Sequence, residues 1–212
     1  MGFVWMIWVK VVGVAVVMLV SGCTYGPQEE LAQIENLAVR PDSLQFAVAV
    51  RYVRFQPATG LTAFPNGGVP NYLEKTAIVH LVDVSTDQIV ELARIEAPDL
   101  LKTGYRAWLT GWRGDSVFLQ LSGCPGSECY GDLLRFHHFA LSPNAEPKTV
   151  TGRPEDIDRI PGMLSRAPGE KVYMRVSADS KVISVRTDDS EPFTERYMLQ
   201  SSGELVAIAP NR

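Results

Sequence analysis

The segment VSADSKVISV, residues 176–185, carries the pattern that decides the fold of this 212-residue chain. A short apolar stretch leads into a polar turn, and a second stretch with alternating apolar residues follows. The segments VRPDSLQFAV (39–48) and WRGDSVFL (112–119) share its Asp-Ser pair and its flanking apolar residues. Asp and Ser suit a turn because their side chains bond to nearby backbone groups. The repeat therefore predicts the same strand–turn–strand unit at three places in the chain.

A second hairpin follows each of these units. Runs rich in Val, Ile, Leu, Tyr and Phe flank short polar turns at residues 85–87, 142–144 and 201–203. Strands joined by turns this short pair side by side and antiparallel. We therefore expect an all-β body of three four-stranded antiparallel meander units, arranged as propeller-like blades or, alternatively, as a β-sandwich.

The Asp-Ser turn resembles the S-P-D-G-K turn of periplasmic TolB-type propeller repeats. The most similar copies are Arg40-Pro41-Asp42-Ser43 and Ser177-Ala178-Asp179-Ser180-Lys181, and Ser replaces the Gly of that motif in all three copies. The resemblance implies propeller-like units. Closed propellers have about four to eight blades, so three units would form an open or atypical array.

The N-terminus has the pattern of a bacterial lipoprotein signal. Lys10 precedes the uncharged run VVGVAVVMLV (11–20), a basic start followed by an apolar stretch of signal-peptide length. Val20-Ser21-Gly22-Cys23 then resembles the lipobox of bacterial lipoproteins. The resemblance implies cleavage before Cys23, a diacylglycerol on its sulfur and acylation of the new amine, for example with palmitate. Thr24 follows in place of the Asp that retains such proteins at the inner membrane, which implies the periplasmic face of the outer membrane.

These observations divide the chain into three parts. Residues 1–22 are expected to be the signal peptide, residues 23–33 the lipidated N-terminus and tether, and residues 34–212 a single all-β domain. The alternative is a transmembrane helix over residues 2–22, which has about the 20 residues of a span. Lys10 would then lie in mid-span at a cost of about 3 kcal/mol, so the lipoprotein is the favoured interpretation.

Two further cysteines, Cys124 and Cys129, remain as a pair if Cys23 carries lipid. They bracket the turn-rich stretch 125–128, and a close pair in an oxidising compartment is most simply a disulfide. A metal site and a redox pair are the alternatives. Two thiolates are too few for a typical metal site, and redox pairs more often have the C-x-x-C spacing.

The histidines are the candidates for catalysis. His137 and His138 are adjacent on an expected strand, so their side chains should point to opposite faces, and a structural role is expected for both. His80 lies in an apolar strand, where we expect a buried or edge histidine with a backbone partner; a base acting with a carboxylate is the alternative. The chain has no G-x-S-x-G, H-E-x-x-H or phosphate-binding glycine motif. We therefore expect no enzymatic activity, no cofactor and no metal.

Tryptophans and acidic clusters are weaker candidates for binding. Trp108 and Trp112, four apart on an expected strand, should share one face, either in the core or as a platform for a sugar or a partner chain. The clusters 155–158 and 188–191, which hold Glu155, Asp156, Asp158, Asp188, Asp189 and Glu191, lack the spacing of a calcium loop. We expect them to be solvated loop charge.

The segment Gln56–Leu73 (QPATGLTAFPNGGVPNYL) separates two expected strands with an uncharged, proline-rich insertion. Insertions of this length are uncommon unless they are functional or disordered, and the apolar residues argue against disorder. Interface energy concentrates in aromatic anchors. Phe64 and Tyr72 are therefore predicted to bind a protein partner.

The composition limits the classes of partner. A net charge of −4 at pH 7 gives no electrostatic reason to bind nucleic acid. The expected contacts are with the membrane through the N-terminal lipid and with another envelope protein. The sequence therefore predicts a membrane-anchored envelope lipoprotein with a binding or scaffold role. An envelope hydrolase that uses His80 or His137, and a small-ligand sensor, are the alternatives.

The anchor can be tested directly. The substitution Cys23→Ser removes the sulfur that would carry the diacylglycerol, so the variant should remain uncleaved or soluble and should not acquire labelled fatty acid. Electrophoretic migration and membrane fractionation of the two proteins provide the measurement. If the variant migrates and fractionates like the wild type, the lipobox interpretation is wrong.

Overall fold

The computed structural model describes residues 25–41, 43–59, 68, 70–96, 105–123, 135–150 and 171–208. Twelve strands, and no helix, are formed by these residues, so none of them lies in a helix long and apolar enough to cross a membrane. The strands are β1 (Glu29–Val39), β2 (Gln45–Gln56), β3 (Asn71–Asp83), β4 (Gln88–Glu96), β5 (Arg106–Arg113), β6 (Ser116–Gly123), β7 (Arg135–Leu141), β8 (Lys148–Val150), β9 (Tyr173–Val176), β10 (Val182–Arg186), β11 (Thr194–Leu199) and β12 (Leu205–Ala207).

The described strands form three open four-stranded antiparallel sheets, none of them closed into a barrel. Sheet 1 has the order β1-β2-β3-β4, sheet 2 the order β5-β6-β7-β8 and sheet 3 the order β9-β10-β11-β12, so each is a meander of consecutive strands. The prediction of an all-β body with three four-stranded antiparallel units is therefore confirmed.

The first strand begins earlier than expected. β1 starts at Glu29, whereas the sequence placed the beginning of the β body at Ile34 and assigned residues 23–33 to a tether. From Leu31 onward the strand alternates between buried and more exposed residues, and Ala32 is already fully buried. The polar character of Glu29 and Glu30 concealed this first part of the strand.

The chain divides into two compact units, and strands β1, β2 and β3 contribute residues to both. The smaller unit includes residues 25–30 and the described part of 54–73. In it, Tyr25 pairs with Ala58 as an isolated antiparallel bridge, and the Gly26 amide donates to the Pro57 carbonyl at 2.8 Å. The larger unit, residues 31–53 and the described part of 74–212, contains the main core.

The core of the larger unit lies between sheet 1 and sheet 3. Phe46, Val48 and Val50 of β2 and Ile78 and Val82 of β3 pack with apolar residues of sheet 3. The residues of this cluster on that side are Val172, which directly precedes β9, and the sheet 3 residues Ile183, Val185, Tyr197, Leu199 and Leu205. Phe46 meets the Tyr197 ring edge-on, with ring centroids 5.8 Å apart. Burial of these side chains is the main stabilising contribution, at about 25 cal/mol for each Å² removed from water.

Sheet 2 is joined to sheet 1 through polar contacts. The Asn36 side chain accepts from the Leu109 amide and donates to the Leu109 carbonyl, both at 2.9 Å. Leu109 lies on β5, the first strand of sheet 2, and the amide side chain therefore satisfies two backbone groups that an edge strand leaves unpaired. The Glu35 carboxylate, whose side chain is only 4% exposed, bridges Arg51 at 2.9 Å and Arg106 at 3.1 Å.

The Asp-Ser turns contain the local hydrogen bonds that the sequence predicts. In the third copy the Asp179 carboxylate accepts from the Lys181 amide at 3.2 Å, and the Ser177 hydroxyl accepts from the Val182 amide at 2.9 Å. In the first copy the Ser43 hydroxyl accepts from the Gln45 amide at 3.2 Å. Side chains rather than glycine therefore stabilise these two turns, whereas Gly114, at φ +57°, occupies the turn of the second copy.

One glycine is required by space as well as by backbone conformation. Gly203, in the turn between β11 and β12, has φ +86°, and a Cβ added to it would lie 2.5 Å from Ile78 Cδ1. The turn therefore approaches the centre of β3 so closely that only a residue without a side chain fits. Gly114 also has a positive φ of +57°, but no atom lies within 4 Å of its added Cβ.

This pair of glycines gives a matched test of the contact between sheets 1 and 3. Gly203→Ala should lower the free energy of unfolding by about 2–5 kcal/mol, because an unfavourable left-handed backbone costs about 1–2 kcal/mol and overpacking adds about 1–3 kcal/mol. Gly114→Ala should cost only the backbone part, about 1–2 kcal/mol. Urea unfolding of the two variants measures the difference. Equal losses would show that the Gly203 turn does not pack tightly on Ile78.

Candidate functional site

Several residues singled out by sequence lie outside the described part of the chain. These are the lipidation residue Cys23, the cysteine pair Cys124 and Cys129, the loop residue Phe64, and the acidic residues Glu155, Asp156 and Asp158. The lipid anchor, the disulfide and the role of Phe64 therefore stay predictions.

Tyr72 lies in a strand and not in the insertion to which the sequence assigned it. Strand β2 extends to Gln56 and strand β3 begins at Asn71, so the segment between them is shorter than Gln56–Leu73. Tyr72 is half-buried, and its ring lies 6.1 Å from that of Phe55 in the smaller unit. The strand propensity of Asn71-Tyr72-Leu73 was hidden by the prolines and glycines before it.

His80 is a buried structural residue, as expected. Its Nε2–H donates to the Gly203 carbonyl at 2.9 Å, in the turn that packs on β3. Burial lowers the pKa of His80 below its ordinary value, and the hydrogen bond to Gly203 and the charge of Glu91 oppose this shift without reversing it. The imidazole is therefore neutral at pH 7, with the tautomer fixed by the carbonyl.

His137 and His138 lie on opposite faces of β7, as predicted. His138 is directly opposite Gln120 on β6, and its Nε2 lies 3.2 Å from the Gln120 Oε1. His137 is opposite Leu121, whose side chain is buried on the other face of the sheet. The adjacent histidines therefore do not converge, and each belongs to a different surface of sheet 2.

The prediction for the two tryptophans is wrong. Leu109 pairs with Leu119 and Gly111 pairs with Phe118, so Thr110 is an extra residue that forms a β-bulge. One inserted residue moves every later side chain of the strand to the opposite face of the sheet. Trp108 and Trp112 therefore lie on opposite faces of sheet 2. Gly111, at φ +144°, accommodates the bulge.

Trp112 faces sheet 1, where its indole Nε1–H donates to the Ala38 carbonyl at 3.0 Å. The Arg40 guanidinium lies 5.6 Å from its ring centroid, at the distance of a cation–π contact. Trp112 therefore contributes to the junction between sheets 1 and 2. Trp108 is left on the other face, and it is 40% exposed.

The outward face of sheet 2 is the strongest candidate for a binding surface. We define it by the residues that the strand register places beside Trp108. Trp108 is opposite Gln120, and Gln120 is opposite His138; Phe118 and Phe136 lie on the flanking rows. Phe136 is 44% exposed, whereas Phe118 is half-buried and His138 is buried. The full set is Arg106, Trp108, Phe118, Gln120, Ser122, Phe136, His138, Ala140, Lys148 and Val150.

This face combines aromatic area with polar groups. Trp108 and Phe136 present large apolar rings to solvent, and the bonded pair Gln120–His138 lies between them. Lys148 is an exposed cation of this face, whereas Arg106, whose backbone position belongs to the face, bonds through its guanidinium to Glu35 of sheet 1 at 3.1 Å. Such a surface suits contact with another macromolecule, since exposed aromatic residues are the typical anchors of interfaces.

The acidic cluster at residues 188–191 is engaged with protein groups. Asp189 pairs with Arg186 at 3.1 Å and accepts from the Tyr173 hydroxyl at 2.7 Å. The Ser190 amide and hydroxyl donate to Asp188, and these bonds hold the pKa of Asp188 below its usual range. Among the described residues, no group of three His, Cys, Asp or Glu side chains is arranged to hold a metal ion.

Two features of the sequence indicate the outward face. Gly111 inside a strand, between two tryptophans, indicates a bulge and hence a change of facing. Phe136 alternates with His138 and Ala140 in the run RFHHFAL, which assigns these three residues to one face. With the bulge at this position taken into account, Trp108 belongs to the same face as Phe136, His138 and Ala140.

Comparison with known proteins gives no functional assignment, since no family model, no curated protein and no solved structure matches the chain.

The buried His80 predicts how stability depends on pH. Because its folded pKa is lowered, the unfolded chain binds the proton more readily, so its contribution to stability is complete above about pH 6.5 and is lost as the pH falls through the folded pKa. His80→Gln keeps a donor for Gly203 and cannot titrate. Urea unfolding at a series of pH values should therefore show a steeper acid loss for the wild type than for the variant. Parallel profiles would contradict this account.

Proposed function

We propose that this protein is a lipid-anchored docking protein of the cell envelope, with the outward face of sheet 2 as its contact surface. The observation that carries the proposal is the exposure of Trp108 and Phe136, at 40% and 44%, on one face of a regular sheet. Exposure of large aromatic side chains to water is unfavourable, and a partner that covers them gains the free energy of removing their apolar area from water. The rigid strand backbone holds both rings in place before binding, which lowers the entropy cost of association.

The place of action follows from the N-terminal signal. The sequence Val20-Ser21-Gly22-Cys23 supports cleavage and lipidation at Cys23, and Thr24 supports the periplasmic face of the outer membrane. β1 begins at Glu29, so only a few residues separate the lipidated Cys23 from the first strand. At about 3.5 Å for each residue, this link keeps the start of β1 within about 20 Å of the lipid.

A docking role is favoured over an envelope hydrolase. His80, one of the two histidines of that alternative, is buried against the Gly203 turn with its Nε2–H already bonded. His137, the other one, lies on the inward face of β7 with its Nε2 buried. A general base must reach a proton of the substrate, and neither imidazole is placed to do so. We therefore propose binding, rather than catalysis, as the role of sheet 2.

The test is photo-cross-linking in living cells. A photoreactive residue placed at Lys148, an exposed residue of the outward face, should form adducts with a partner. Adding Trp108→Ser or Phe136→Ser should reduce the yield strongly, because truncation of an aromatic anchor typically costs about 2 kcal/mol, or about 30-fold in affinity.

The matched control uses an exposed apolar residue elsewhere. Val90 on β4 is 48% exposed, and the same photoreactive residue at this position should give no adduct that depends on Trp108. Adducts of equal yield from both positions, or adducts at Lys148 that survive both serine substitutions, would refute the docking face.

A further inference from the structure

The sheets of the larger unit are stacked, and sheet 1 is covered on both of its faces. Successive residues of β2, from Phe46 to Val50, are all fully buried, although neighbouring side chains on a strand point to opposite faces. One face packs on sheet 3 through the apolar cluster, and Asn36 and Ala38 bond to sheet 2. Sheet 1 is thus the middle member of the stack.

Sheets 2 and 3 each bury one face and expose apolar residues on the other. On sheet 3, Val182 is directly opposite Met198, and Met198 is opposite Val206, so these residues form a row across three strands. Met198 is 40% exposed, and the neighbouring residues Ile183, Tyr197 and Leu205 point into the core. This row is the counterpart of the Trp108 and Phe136 surface at the other end of the stack.

The end units of a stack of repeats normally present a polar face to solvent. Arrays of repeated units carry terminal members with a polar outer face, because an apolar end would associate. Rings of four-stranded sheets avoid the problem by closing on themselves, with about four to eight sheets. The described sheets follow neither solution, since there are three of them and the outer faces of sheets 2 and 3 are both partly apolar.

We propose that the partner of the outward face of sheet 2 is a second copy of this chain, which contributes the outward face of sheet 3. This inference rests on the docking role proposed for sheet 2 and names its partner. In a two-fold symmetric dimer each copy supplies both faces, so two equal contacts form and every apolar face is covered. Two copies bring together six sheets, within the range of about four to eight for closed rings.

The available area is sufficient for a stable dimer. A four-stranded face is about 19 Å wide, and strands of about five residues make it about 17 Å long. Each face therefore covers roughly 300 Å², and the four faces of two contacts bury roughly 1,300 Å² in total. Specific protein interfaces begin at about 1,200 Å².

The experiment is sedimentation of the full-length lipidated protein in a mild detergent. The expected protein mass is that of two chains. Trp108→Glu and Met198→Glu should each raise the dissociation constant by at least about 30-fold, because a carboxylate would replace an apolar anchor. Val90→Glu, on sheet 1, should leave the dimer intact. Both target residues are about 40% exposed, so thermal unfolding should confirm that the variants keep their fold.

The outcomes separate this inference from the proposed function. Loss of the dimer in the Trp108 variant but not in the Met198 variant would overturn the pairing of sheet 2 with sheet 3. A single-chain mass, or a mass above two chains, would overturn the closed dimer. If the wild type is a single chain while Lys148 still forms Trp108-dependent adducts with a different protein, the docking function stands and self-association is refuted. If those adducts are also absent, both proposals fail.

Discussion

Strand β2 carries apolar side chains on both of its faces, and the rest of the larger unit follows from that constraint. Phe46, Val48 and Val50 point one way, and Ala47 and Ala49 point the other way, with all five fully buried. A single meander cannot bury both faces of its own sheet. Two further sheets are therefore required, and the repeated hairpins supply them. The small alanines on one face allow close approach, whereas the larger residues on the other build the cluster shared with sheet 3.

The two junctions of sheet 1 use different chemistry. Toward sheet 3, apolar packing dominates, and the Gly203 turn is fitted against Ile78 so that its carbonyl reaches His80. Toward sheet 2, the junction includes the Asn36 pair of hydrogen bonds, the Trp112 indole bond and the Glu35 carboxylate between two arginines. Directional bonds of this kind add modest stability but fix one geometry, since a buried polar group that loses its partner is costly. Apolar contact thus supplies the stability at one junction, and polar contact the alignment at the other.

The hairpins could be predicted because their information is local. Alternation and turn chemistry located the strand pairs, and Asp179 and Ser43 make the backbone bonds expected of such residues. The facing of Trp108 could not be obtained from spacing, because the bulge at Thr110 inserts one residue into the period of two. The Asn36 contact was also beyond local reasoning, since Leu109 is 73 residues away. Local patterns therefore do not predict which distant groups the polar side chains contact. They also do not predict the exact strand register on which the candidate face depends.

A lipid anchor changes what the outward faces need in order to associate. The four faces of the proposed dimer bury an area only slightly above the lower limit of specific interfaces, about 1,200 Å², and association costs about 4–15 kcal/mol in translational and rotational freedom. An anchor at Cys23 would confine the copies to one membrane surface. This confinement would reduce the entropy cost of association, because tethering raises the effective concentration of one face near another. The short link from Cys23 to Glu29 keeps this confinement tight. If Cys23 is lipidated as proposed, a modest aromatic and methionine surface would be sufficient for association, and an extensive apolar interface would not be needed.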